Sequence, residues 1–400
     1  MVLRCPGYEE DPPLYTSGAT QSVFNVREFG AKGDGATDDT AAIQEAIDRV
    51  RRQGGEVYFP VGTYSISSLN LTRIHTGVVL RGAGTGHQAS RLIPNKDDVH
   101  LLDFSGSCQL NMENLQIGHY PQLGQQGSFR EDIPVPKTAI LLAQVPGYES
   151  NAFHFEDLQV TGKYHVATFY CYGVPSSTML NCDFFNYQDE EGAAVVAFTR
   201  DNYAELRSDY TNVFTGAYGG FAGTNTSDWT LTGVEIHQMS GVWNHGGRTK
   251  VTPLRLDTTM QMRWIGGNVS GEGPQSVHFV GSNMWINFIG TTFYSDFPPV
   301  PEVLFRNDGQ IRGLTVSGCV TATSNAVFGG GPDSVFDEIS FQSKAAHGGA
   351  KVLFDAPGAT LTNSLIHCDG LGMRLGDINK TLLINPGEIQ ADSDTSTKVQ

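Results

Sequence analysis

The chain has 400 residues, 42 acidic and 26 basic, for a net charge of −16, and 47 of its residues are glycine. The length suits one large repetitive domain or two to three globular ones, and the acidity argues against nucleic acid as a partner, because phosphate binding needs a basic surface. It also disfavours a highly anionic polysaccharide unless calcium or a local basic patch bridges it, and no apolar run is long enough to predict a membrane span.

In chain order, residues 1–22 contain Pro, Gly and Ser and read as an N-terminal arm packed along the outside. The opening MVLRCPGYEEDPP lacks the apolar centre of a signal peptide. Either a start codon replaces a leader or export does not use one. Asp38 or Asp39, with Thr40 beside it, can cap a helix. Ile43, Ala46, Ile47 and Val50 then recur at helical spacing, and Gly54 and Gly55 stop the run. A helix is therefore predicted over 38–53. Val57, Phe59, Tyr64 and Ile66 read as strands around the turn at Pro60 to Gly62. A stack of strands leaves an open edge at its end, and a helix laid over the first coil covers it.

Further along, one pattern recurs: a small or polar residue, two variable ones, then an apolar one. It opens at Asn114, Asp157, Asn181, Arg207, Gly233, Gly266, Gly290, Ser317, Glu338 and Asn363. The closing residues are Ile117, Val160, Phe184, Tyr210, Ile236, Val269, Phe293, Val320, Phe341 and Ile366, at steps of 43, 24, 26, 26, 33, 24, 27, 21 and 25. A strand-bearing unit at that period marks a solenoid. Each unit is too small to bury its own apolar side and must stack on its neighbours. The two long steps mark coils with insertions. The six cysteines show no metal-ligand spacing, and Cys182 falls on an inward position as a buried thiol.

The residue before each closing position should point outward, since side chains alternate along a strand. That column reads Gln116, Gln159, Asp183, Asp209, Glu235, Asn268, Thr292, Cys319, Ser340 and Leu365. Asp183, Asp209 and Glu235 would then form a carboxylate ladder with rungs about 4.8 Å apart. Like charges at that spacing repel, so at least one pKa should rise.

Phe29 to Gly35, then Asp38-Asp39-Thr40, then Val57-Tyr58-Phe59-Pro60 with Gly62 and Tyr64, resemble the opening of the pectate-lyase-like right-handed parallel β-helix superfamily. The resemblance is to the branch shared by polygalacturonase-related glycosidases, fungal exo-β-1,3-glucanases and phage tailspikes. It covers about 40 residues closely and the rest in style, as in Val79-Leu80-Arg81-Gly82-Ala83-Gly84. With the repeat, it implies an all-β fold: a single-stranded right-handed parallel β-helix of about ten coils over 23–390, with an N-terminal capping helix and a flexible tail at 391–400. Asp38 and Asp39 read as structural. The polygalacturonase signature is only partly matched. Asn181-Cys182-Asp183 has the Asn-x-Asp form, no Asp-Asp pair follows in the coils, and pieces of the remaining motifs collapse into Asn244 to Lys250.

The candidate catalytic residues are Asp183, Asp209 and Glu235, with Asp209 central. Glycoside hydrolysis needs two carboxyl groups about 5 Å apart for retention or about 6.5–9.5 Å for inversion, and adjacent or alternate rungs offer either. Candidate substrate-binding residues are His237, Trp243, His245, Arg248, Asn268 and Arg207, since aromatic faces and charged donors suit sugar rings and hydroxyls. The expected activity is hydrolysis of a polysaccharide without a cofactor. Two alternatives stand beside it: a calcium-assisted polysaccharide lyase, and a non-catalytic glycan-binding protein of the tailspike or adhesin kind. The partner is expected to be a polysaccharide or oligosaccharide, with no nucleic acid or membrane. A homotrimer is suggested by the aromatic turns Tyr218 to Phe221 and Phe297 to Val300. The protein is expected to be extracellular or secreted, with a cytoplasmic location left open.

Overall fold

The computed structural model describes residues 22–86, 89–119, 133–145, 148, 150–187, 192–199, 226–227, 229–238, 251–271, 274–294, 302–321, 325–345, 352–395 and 398–399. The chain is a right-handed parallel β-helix whose coils pass through three ladders of parallel strands. One turn shows the plan. Ser177–Leu180 pairs with His154–Glu156, Asp183–Asn186 with Gln159–Gly162, and Ala194–Thr199 with Ala167–Tyr172. We call the ladder containing Ala194–Thr199 the first, that of Ser177–Leu180 the second, and that of Asp183–Asn186 the third.

The recurring four-residue pattern is the turn from the second ladder to the third. Its opening residue takes a left-handed backbone: φ is 57° at Asn114, 50° at Asp157 and at Asn181, and 62° at Gly233. Gly, Asn and Asp tolerate that conformation best, which is why small or polar residues recur there. The turn also pins the coils together. The Asn181 N–H donates to Thr232 O at 2.9 Å and the Gly233 N–H to Ile265 O at 2.9 Å, one coil further on.

Alternation sends every second residue into the prism. Phe305 and Phe354 flank Phe328 with ring centroids 5.3 and 4.6 Å away, both stacked. Trp229 sits 5.0 Å from Phe198 and donates its indole N–H to Val174 O at 2.7 Å. Each such buried ring contributes about 1.5–3 kcal/mol. Cys182 is fully buried, as its inward position predicts, and burial pushes its thiol up to about 12. The corner between the third and first ladders is closed by Asn186, whose Nδ2 donates to Tyr164 O and Ala194 O at 3.1 and 3.0 Å.

The helix runs Thr40–Gln53 and buries Ile43, Ala46, Ile47 and Val50. Its cap differs from the expectation. Asp39 occupies the cap position, but its carboxylate turns back to accept the Lys32 and Gly33 N–H groups at 2.6 and 3.0 Å. Asp38 accepts the Thr40 N–H at 3.0 Å. Both aspartates therefore shape the segment entering the helix.

Three expectations of register are corrected. Phe184 pairs directly with Ile236, so no rung stands between them where Arg207–Tyr210 was expected, and that segment lies outside the described residues. Among the described residues after Asn186, Ala194–Thr199 joins the first ladder, Trp229–Thr232 the second and Glu235–Gln238 the third. Cys319 is 3% exposed and belongs to the core, because Thr292 pairs with Val320. Ser340 and Leu365 continue the second ladder through Thr315, since the register shifts between Ser317 and Val320. The segment 391–400, expected to be a flexible tail, carries Ile389–Thr395 and Lys398–Val399, which pair with Gly372–Asn379 and Leu382–Ile384. Among the described residues no helix is long and apolar enough to cross a membrane.

Candidate active site

The third ladder builds a file of polar side chains with one direction. Arg91 donates through Nε and Nη2 to Gln116 Oε1 at 2.9 and 2.6 Å. Gln116 Nε2 donates to Gln159 Oε1 at 2.6 Å. The Gln159 amide is left with its NH2 end to donate onward to Asp183. Asp183 pairs in register with Glu235, and Glu235 with Asn268.

The two carboxyl groups lie in different surroundings. Burial pushes Asp183 up to about 7, the nearby Glu235 adds to the rise, and the hydrogen bond from Gln159 opposes it. The Glu235 side chain is exposed. At neutral pH the site therefore offers a carboxyl group poised between its protonated and ionised forms beside a second carboxyl group open to solvent. On the same strand, two residues after Asp183, the half-buried Phe185 stacks on the buried Tyr187 at 6.1 Å.

Asp183, Glu235 and Asn268 thus come together on consecutive rungs. The His237 backbone pairs with Phe185 and Ser270, one column away. Asp209, Arg207, Trp243, His245 and Arg248 lie outside the described residues, as do Tyr218 to Phe221 and Phe297 to Val300. Asp209 loses its expected place between Asp183 and Glu235, because those two are direct neighbours.

A second polar cluster, which the sequence repeat does not predict, lies on the first ladder. Arg255, His278 and Arg306 are register partners on three successive strands. Asp308 lies 2.9 Å from His278 Nε2 and accepts the Arg306 Nε–H at 2.9 and 3.1 Å. Burial lowers the His278 pKa, against the pull of Asp308. Burial of Asp308 would raise its pKa, but the hydrogen bonds from Arg306 and His278 outweigh it and hold it low. The sequence signal was the parallel between Leu254-Arg255-Leu256-Asp257 and Phe305-Arg306-Asn307-Asp308, charged residues at alternate positions of apolar strands. Among the described residues no group of three or more His, Cys, Asp or Glu is placed to hold a metal ion.

Residues 23–134 match a family described as "Rhamnogalacturonase A/epimerase, pectate lyase-like". The chain is 44% identical over 81 residues to alginate lyase 7 of Azotobacter vinelandii, covering 19% of this chain and 10% of that protein. It is 36% identical over 102 residues to a probable glucan endo-1,3-beta-glucosidase of Arthroderma benhamiae, covering 23% and 11%. The chain thus spans about a tenth of the length of these relatives. Among solved structures, the Dettilon tailspike protein aligns over 93% of this chain and 68% of its own, with a TM-score of 0.51 and 12% identity, a likeness of fold.

Proposed function

We propose that this chain, a right-handed parallel β-helix of the pectate-lyase-like superfamily, cleaves glycosidic bonds of a polysaccharide by hydrolysis, with Asp183 as general acid and Glu235 as the partner carboxylate. The observation that carries the reading is the pair itself: a half-buried carboxyl group with a pKa near 7 on the rung next to an exposed one. A general acid is most effective when its pKa lies near the working pH. Rungs about 4.8 Å apart suit the close carboxyl spacing of a retaining enzyme. Asp183 protonates the leaving oxygen, and Glu235 attacks the anomeric carbon before water releases the sugar. Phe185, backed by the buried Tyr187, offers an apolar face for a ring. The reading needs no cofactor, whereas a lyase would call on calcium. A polymeric substrate fits a protein that works outside the cell, and a trimeric assembly belongs to the same proposal.

The names of the similar proteins include both a lyase and a glucosidase, so the test must separate elimination from hydrolysis. A polysaccharide panel is assayed for new reducing ends and for unsaturated products absorbing in the ultraviolet. Reducing ends without unsaturation, lost in Asp183→Asn, support the proposal. Unsaturated products would replace it with a lyase, and binding without any product with a glycan-binding protein.

A further inference from the structure

On the outer face of the second ladder, three large apolar side chains stand in solvent. Trp229 and Trp264 are fully buried, whereas Trp285 is 45% exposed, with Ile265 and Ile289 at 39% and 44%. Ile265 and Ile289 are register partners, as are Arg263 and Asn287 beside them on the same face. Trp285 stands where Gln275–Ile289 passes from the first ladder to the second. Its backbone is left-handed, with φ at 56°. A bulky aromatic is an outlier in that conformation, and such residues gather at binding sites. Gly313 on the next coil makes room for the indole, since a Cβ there would come within 2.7 Å of Trp285 Cδ1. Thr259–Ile265 and Trp285–Ile289 contain no carboxylate, and the exposed Arg263 forms no ion pair among the described residues. Asn287 donates to Trp285 O at 3.4 Å, which leaves its Oδ1 to accept.

We infer that Trp285, Ile265 and Ile289 form a platform for an uncharged glucan chain, separate from the pair Asp183 and Glu235. A β-linked glucose ring carries its C–H bonds on its two faces and its hydroxyls on its rim. The faces suit the indole and the isoleucine methyls, and Arg263 and Asn287 suit the rim. A second copy of this chain fits less well. The three side chains expose roughly 300 Å² at most, whereas a stable protein interface takes about 800 Å² from each partner. The net charge of −16 also sets two copies, or an anionic polymer, against the chain. Ile265 and Ile289 lead across the turn into Asn268 and Thr292, the rungs after Glu235, so the platform adjoins the pair. The inference rests on the reading of a glycan ligand but not on the role of Asp183.

The test titrates the full chain carrying Asp183→Asn with an uncharged β-glucan hexasaccharide, followed by calorimetry. Trp285→Ala should weaken binding roughly 10-fold or more. Gly313→Asn should do the same with the tryptophan still present, because the added side chain displaces the ring. Asn tolerates the left-handed backbone, as Asn363 does at φ 49°, so the fold is kept. A hexuronate of the same length should bind less tightly than the glucan. Undiminished binding in Trp285→Ala, tighter binding of the hexuronate, or no binding of the glucan before Trp285 is changed overturns the platform. A lower mass of Trp285→Ala by light scattering, with glucan affinity unchanged, would make the patch an interface between copies instead. Cleavage of the hexasaccharide by the Asp183→Asn protein would overturn the catalytic assignment and leave the platform to stand.

Discussion

Gln116 donates to Gln159 Oε1 at 2.6 Å, and that bond decides which end of the Gln159 amide meets Asp183. With its oxygen engaged, Gln159 can offer only N–H to the carboxylate, and a donor stabilises the charged form. Arg91 fixes the sense of the whole file by giving two N–H groups to Gln116 Oε1. The file therefore restrains a pKa that burial raises. Gln159→Leu removes the restraint, and the Asp183 midpoint should rise further, by roughly one unit. Carbon-detected titration of the Asp183 carboxyl measures this without reference to activity. An unchanged or lower midpoint would show that the amide does not act on Asp183.

Asp183→Asn keeps the shape of the side chain and removes its proton. Turnover should fall by roughly 10² or more if the residue is the general acid. Glu235→Gln should cost a similar factor, since the partner carboxylate is then lost. Circular dichroism and gel filtration on both variants should match the wild type. Full activity in Asp183→Asn with an intact fold would rule the residue out as the acid.

Much of this was legible in the chain. The left-handed turn residue wrote itself into the sequence at Asn114, Asp157, Asn181 and Gly233, because few residues tolerate that backbone. The helix was equally clear, since Ile43, Ala46, Ile47 and Val50 had to share one face. Register was less legible where a coil carries a long insertion. Arg207–Tyr210 fits the four-residue pattern and the 26-residue step, yet Phe184 and Ile236 are direct neighbours, and spacing along the chain does not say which strands pair. The pairing of Asp183 with Glu235 depends on how Trp229–Thr232 meets Ser177–Leu180, a contact between segments far apart in sequence. The first-ladder cluster is hidden in the sequence for a related reason. Arg255, His278 and Arg306 become neighbours only through register.

Phe328 is the middle ring of a stack running from Phe305 to Phe354. Phe328→Ala should cost about 3–5 kcal/mol, the usual price of removing a buried ring and leaving a cavity. In a solenoid each coil contacts only its neighbours, so the loss should be local at first. Amide exchange should accelerate in Val303–Arg312, Ala326–Gly330 and Val352–Thr362 before it does in the helix Thr40–Gln53. Uniform acceleration along the chain would indicate that the helix unfolds as one cooperative unit.

The raised pKa of Asp183 also makes a statement about stability. Its folded value is about 7 against an ordinary 3.8. Below about pH 4 the group is protonated in both folded and unfolded chains, and its burial carries no charge penalty. Between the two values the folded state binds the proton more tightly, so stability falls as pH rises, until the folded group ionises near 7. Other shifted carboxyl groups do not blur this window. Asp38, Asp308 and Asp337 are lowered, so their contribution is present above about 3.8 and is lost only in more acid solution. Asp183→Asn should therefore gain on the wild type between pH 4 and 8, by roughly a few kcal/mol at most. Urea denaturation at several pH values across that range measures the difference. Parallel stability curves for the two proteins would mean that Asp183 titrates as an ordinary aspartate, and the acid role assigned to it would lose its physical basis.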